Sequence, residues 1–79
     1  MDVRELKAAR VRADKTQQEC ADVLGITRIS YAQKEGGTYG FTLKQAGTLA
    51  EFLHISKEDF FKIFFGDDIY TNDNKQVTA

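Results

Sequence analysis

Arg28, Ile29, Ala32 and Gln33 stand close together in the chain. At about 100° per residue they share one side of a helix, while Thr27, Tyr31 and Lys34 take the other. The planar guanidinium of Arg28 is a two-pronged donor that matches the O6 and N7 acceptors of guanine, and the Gln33 carboxamide donates and accepts in the pattern that adenine N6 and N7 require. Ile29 and Ala32 add compact apolar surface of the kind that meets a thymine methyl. No acid interrupts this face. The same four residues would also suit an ordinary solvated helix face, so their meaning depends on the elements around them.

Other chemistries lack their residues. A nucleophile and base would have to be Cys20 and His54, the single cysteine and single histidine, far apart in the chain and on different expected helices. One Cys and one His cannot supply the three or four N/S ligands of a zinc site, and a lone cysteine closes no internal disulfide. Asp67, Asp68 and Asp73 cluster without a base, a nucleophile or the spacing of a calcium loop. No Gly-x-x-x-x-Gly-Lys-Ser/Thr run is present to cradle a nucleotide phosphate. The expectation is a protein that is not an enzyme and takes no metal or cofactor.

With 79 residues the chain has room for one small core. Its longest apolar run, Ile63-Phe64-Phe65, falls far short of the about 20 residues of a membrane span. The start, Met1-Asp2-Val3-Arg4-Glu5, is charged on alternate residues and lacks the apolar stretch of a signal peptide, so a cytoplasmic location is expected. Net charge is −1, but residues 1–48 carry eight Lys/Arg against six Asp/Glu, and residues 49–79 carry three against six. This split places a working surface in the first part and turns an acidic C-terminal part elsewhere.

Capping signals define the elements. Thr16-Gln17-Gln18-Glu19 and Thr42-Leu43-Lys44-Gln45 fit the capping box, in which a hydroxyl accepts an amide proton of the first turn and the third-following side chain reaches back. Ser56-Lys57-Glu58-Asp59 is a shorter-armed version, and Thr27 is a further N-cap. Gly25 can end the preceding helix with positive φ. Val3, Leu6, Ala9 and Ala13 have helical spacing, with Asp14 a tolerable terminator. The expected helices span 2–13, 17–24, 28–35, 43–53 and 57–65, with one longer loop from Gly36 to Phe41. Residues 1–66 are read as the domain and 67–79 as an acidic tail, within which Ile69-Tyr70-Thr71 is the stretch capable of order.

Between Gln17 and Gly36 the pattern meets the narrow steric demands of two helices crossing at a tight turn: Ala21 is small at the approach, Gly25 occupies the turn, and Cys20, Leu24, Ile26 and Tyr31 supply a shared core. In these residues, with Thr16-Gln17-Gln18-Glu19, Lys34-Glu35-Gly36, Phe41-Thr42-Leu43, Ala46 and Leu53-His54-Ile55-Ser56, the chain resembles the Cro/CI-type, or Xre-like, helix-turn-helix family of small phage-type regulators. The resemblance covers about residues 3–65. It departs at Lys34, where many members carry a large apolar residue, and at Cys20, where most carry Leu. It implies an all-α, five-helix lambda-repressor-like DNA-binding domain with its helix-turn-helix at about residues 17–36. The helix at 28–35 then enters the major groove of double-stranded DNA, with Arg28, Ile29, Ala32 and Gln33 at the bases.

Phosphate contacts are expected from Gln17, Thr27, Tyr39, Thr42 and Lys44, which belong to or flank helix N-termini near the reader, and from Arg10, which can lean on a phosphate from the first helix. The loop glycines serve either a close approach to DNA or an ordinary turn. The resemblance also implies that Arg10 pairs with Glu35 beneath the motif; two exposed charges are the alternative. Cys20 reads as a small core hydrophobe, or else as a redox switch. His54 reads as a helix terminator, or else as a pH sensor.

In the helix at 57–65, Phe60, Ile63 and Phe64 make one stripe, and Phe61 with Phe65 make a second about 100° away. The first is assigned to the core and the second to a homodimer contact, since exposed aromatic patches mark interfaces. The alternative is that Phe61 or Phe65 packs on the first helix or under Ile69-Tyr70. The functional expectation is a transcriptional regulator, a repressor bound as a homodimer to a two-fold operator. The rival class is a protein-interaction module on the same fold, an antirepressor or antitoxin-like partner using Phe61 and Phe65.

Overall fold

The computed structural model describes residues 1–66, which contain five helices and no strand. They are α1 (Val3–Arg12), α2 (Gln17–Leu24), α3 (Arg28–Glu35), α4 (Leu43–Phe52) and α5 (residues 57–66). The acidic tail, its Ile69-Tyr70-Thr71 stretch and the cluster of Asp67, Asp68 and Asp73 lie outside the described residues. The spans of α2 and α3 match the capping pattern; α1 and α4 are shorter than expected, and α5 runs one residue further.

Each helix begins where a side chain can accept an otherwise orphaned amide proton. Asp2, expected inside the first helix, instead caps it by accepting from the Glu5 amide at 3.1 Å. Thr16 with Glu19 and Thr42 with Gln45 close both halves of their capping boxes. Thr27 accepts from the Ser30 amide and Ser56 from that of Asp59.

The ends of α1, α2, α3 and α4 share one device. A residue with left-handed backbone reverses the chain, and the next amide bonds back to a carbonyl five residues earlier. Gly25 (φ 69°) does this at α2, where the Ile26 amide reaches the Ala21 carbonyl. Asp14 (φ 59°) and His54 (φ 58°) do it at α1 and α4, each accepting the strain that an L-side chain meets there. His54 is therefore a terminator in backbone terms. At α3 the device falls to Gly37 (φ 88°), where an added Cβ would meet Val3 Cγ1 at 3.1 Å.

The core draws on every helix. Leu6 and Ala9 of α1, Cys20 and Ala21 of α2, Tyr31 of α3, Ala46 and Leu49 of α4 and Ile63 and Phe64 of α5 are buried together with Leu53. α2 packs on both α3 and α4, which explains the small Ala21 at its inner face. No helix among the described residues is long and apolar enough to cross a membrane.

The aromatic rings of α5 divide differently from the two-stripe expectation. Ile63 and Phe64 are buried, and Phe60 packs partly buried against the core. Phe65 does so as well, touching the rings of Phe60 and Phe61 at centroid distances of 5.7 and 6.0 Å. Phe61 alone of the α5 rings remains exposed, at 57%. The buried side of α5 is thus wider than one stripe, and Phe65 also borders a groove lined by Val3, Phe41 and the loop before α4.

Candidate functional site

Glu35 closes α3 and is 5% exposed, a carboxylate buried at a junction of three helices. Four donor contacts converge on it. Arg10 Nε donates to Oε1 at 2.7 Å and an Arg10 terminal nitrogen donates to Oε2 at 3.4 Å. The Gln17 amide donates to Oε2 at 2.9 Å, and the Tyr31 hydroxyl donates to Oε1 at 3.0 Å. The remaining terminal nitrogen of Arg10 donates to the Lys15 carbonyl at 2.9 Å, which ties the turn after α1 into the same cluster. The pair implied by the resemblance is thus part of a larger network.

Burial pushes the Glu35 carboxyl up, but the hydrogen bonds from Arg10, Gln17 and Tyr31 together outweigh it and hold its pKa below the ordinary carboxylate range. Burial, followed by the Glu35 charge, drives the Tyr31 hydroxyl far above its ordinary value and keeps it a donor. Tyr31 was recognisable in principle, since it sits four residues before Glu35 on one helix face. Gln17 as a side-chain partner was not, because the contact is made between helices.

This network holds one side of α3 against α1 and α2 and leaves the other outward. Arg28 and Gln33 are exposed, Ile29 is 65% exposed, and Ala32 is half-buried beside them. Neither Arg28 nor Gln33 has a side-chain partner among the described residues. The four expected reader residues therefore share one accessible face. Arg28 also borders an open cleft of about 440 Å³ with Thr16, Gln17 and Gln18, which joins the start of α3 to the start of α2.

The expected phosphate donors fall into two groups. Gln17 is oriented by Glu35, and its amide nitrogen keeps a second proton to give. Arg10 is largely committed to Glu35 and Lys15. Thr27 and Thr42 are exposed, and each accepts a capping amide with its hydroxyl oxygen, which leaves the hydroxyl proton to donate. Tyr39 (60% exposed) and Lys44 stand at the loop and first turn of α4.

That loop is fixed to α3 by several bonds. The Thr38 amide donates to the Gln33 carbonyl at 2.9 Å, and Lys34 Nζ donates to the Gly40 carbonyl at 2.8 Å while lying 5.9 Å from the Phe41 ring centroid. Phe41 in turn contacts the rings of Tyr31 and Phe64. Lys34 thereby supplies both stem and cation to this packing. Cys20 is fully buried, and burial pushes its thiol pKa up, as for a core hydrophobe. No group of three or more His, Cys, Asp and Glu among the described residues could hold a metal ion. No protein-family model, no curated protein and no solved structure matches the chain.

Proposed function

We propose that this chain is a cytoplasmic, sequence-specific double-stranded DNA-binding transcriptional regulator of Cro/CI type, a repressor that binds a two-fold operator as a homodimer. The observation that carries the reading is the exposed face of α3, where Arg28 and Gln33 stand without side-chain partners while Glu35, in the last turn, ties the same helix to α1 and α2. A rigid helix with an outward fork donor, a carboxamide and two apolar side chains has the chemistry of major-groove base edges. The flanking donors Gln17, Thr27, Tyr39, Thr42 and Lys44 suit phosphates, which set register without reading sequence. Repression requires only occupancy of the operator. Pairing two half-sites about 34 Å apart raises the effective affinity that one small module lacks.

Phe61 is the assigned centre of the homodimer contact, its exposed ring fitting a self-complementary interface. The same ring favours the rival reading, a protein-interaction module. A gel shift on a random duplex library across a salt series separates them. The regulator selects a preferred site and loses affinity with salt; equal binding to all duplexes, or flat salt dependence, overturns the proposal.

A further inference from the structure

The eight cations of residues 1–48 can be sorted by what they do in the fold. Arg10 is held by Glu35, and Arg12 lies 3.8 Å from the Glu5 carboxylate. Lys15 sits over the Phe52 ring at 4.9 Å, and Lys34 donates to the Gly40 carbonyl. Arg28 and Lys44 belong to the surface already assigned. Arg4 and Lys7 remain, both exposed on α1 and both without a hydrogen bond or ion pair among the described residues.

These two side chains line one open cleft of about 520 Å³ together with Arg10, Gln17, Ala32 and Glu35. The cleft therefore has cations on its α1 wall, an expected phosphate donor at the start of α2, and an expected base-reading residue of α3. Within it the Arg10 and Glu35 charges offset each other at 2.7 Å, so the net local charge comes from Arg4 and Lys7. They are three residues apart, about 4.5 Å along the helix axis. As neighbours on the helix surface with long flexible stems, the two side chains can splay onto separate backbone phosphates.

We propose that Arg4 and Lys7 form a phosphate-binding wall on α1 that engages the DNA backbone beside the reader helix. The inference rests on the DNA-binding reading above and deepens it, adding two charged contacts to a set otherwise made mostly of neutral donors. The chain as a whole is not basic, so its electrostatic attraction to DNA must come from local pairs of this kind.

The test uses the full chain, the duplex it selects from a random library, and a scrambled duplex of equal length. For Arg4→Gln with Lys7→Gln, affinity should fall by the same factor on both duplexes, and the selected site should not change. The slope of log K against log salt should flatten by about 1.8 per bound protomer, about 0.9 for each cation removed. Between about 50 and 200 mM salt, the fall in affinity should then be about tenfold smaller per protomer than for the wild type. Arg4→Lys with Lys7→Arg should keep the wild-type slope. A purely structural role would move thermal melting rather than the slope. If the double Gln variant keeps the wild-type slope while the wild type selects a site, the α1 wall is wrong and the reader function stands. If the wild type binds no duplex, both fall together, a result the first outcome cannot imitate.

Discussion

Replacing Glu35 with Gln keeps the shape of the side chain and removes its charge. The four contacts at Glu35 make the consequence calculable. A carboxamide oxygen at the Oε1 position can still accept from Arg10 Nε and the Tyr31 hydroxyl, but its NH2 then faces an Arg10 nitrogen, donor against donor, and the Gln17 carboxamide must flip to offer its oxygen. Arg10, whose side chain is 12% exposed, is left charged beside a neutral partner. Breaking a buried ion pair costs about 3–5 kcal/mol, and the residual exposure of Arg10 places this case at about 3 kcal/mol. A chain of this length has a total stability of roughly 4–12 kcal/mol, so the loss is a large share. It should lower the melting temperature by about 12–24 °C.

The pH dependence sharpens the test. Because the folded pKa of Glu35 is depressed, its contribution is present above the unfolded value of about 4.3 and is lost as pH falls through the lower folded value. Urea melts of the wild type and Glu35→Gln should be separated by a constant gap from about pH 7 to 5, and should converge in stronger acid. Combining Arg10→Met with Glu35→Gln should cost less than the sum of the two single changes by at least about 1 kcal/mol. A gap under about 1 kcal/mol at neutral pH, or one that persists undiminished near pH 2, would refute the assignment of Glu35 as the charged anchor of α3.

Three further outcomes are expected. Arg28→Ala and Gln33→Ala should each relax preference at one base pair at a cost of about 1–3 kcal/mol, whereas Lys44→Ala should weaken all sequences alike; selection from a random library reads both. Phe61→Lys should leave helical circular dichroism intact and give a monomer by sedimentation, because that ring is exposed, while Phe65→Lys should also lower stability because that ring packs against the core. Gly25→Ala should lower stability by about 1 kcal/mol by thermal melting: an added Cβ there meets nothing within 4 Å, so the cost is that of left-handed backbone, partly offset by a stiffer unfolded chain.

The boundaries of α2 and α3 were legible because their signals are local. A Thr hydroxyl and the amides it caps are neighbours in sequence, and Gly25 acts through its own φ. The burial of Cys20, Ala21 and Tyr31 and the exposure of Arg28, Ile29 and Gln33 follow from helical periodicity once those boundaries stand. Asp2 escaped notice as a cap because a charged residue beside a periodic stretch reads equally well inside a helix.

Contacts between elements were another matter. The convergence of Gln17 on Glu35, the seat of Lys34 on the Gly40 carbonyl, and the shared cleft of Arg4, Lys7 and Ala32 depend on how α1, the loop and α3 are oriented in space. The same holds for Phe65, whose periodicity places it beside Phe61 but which packs partly buried against a core drawn from every helix. Sequence determined, to within a residue, where helices start and stop, because those interactions act within about one turn. Partnership across helices was decided by packing, because one amphipathic pattern is compatible with many neighbours and the fold selects among them.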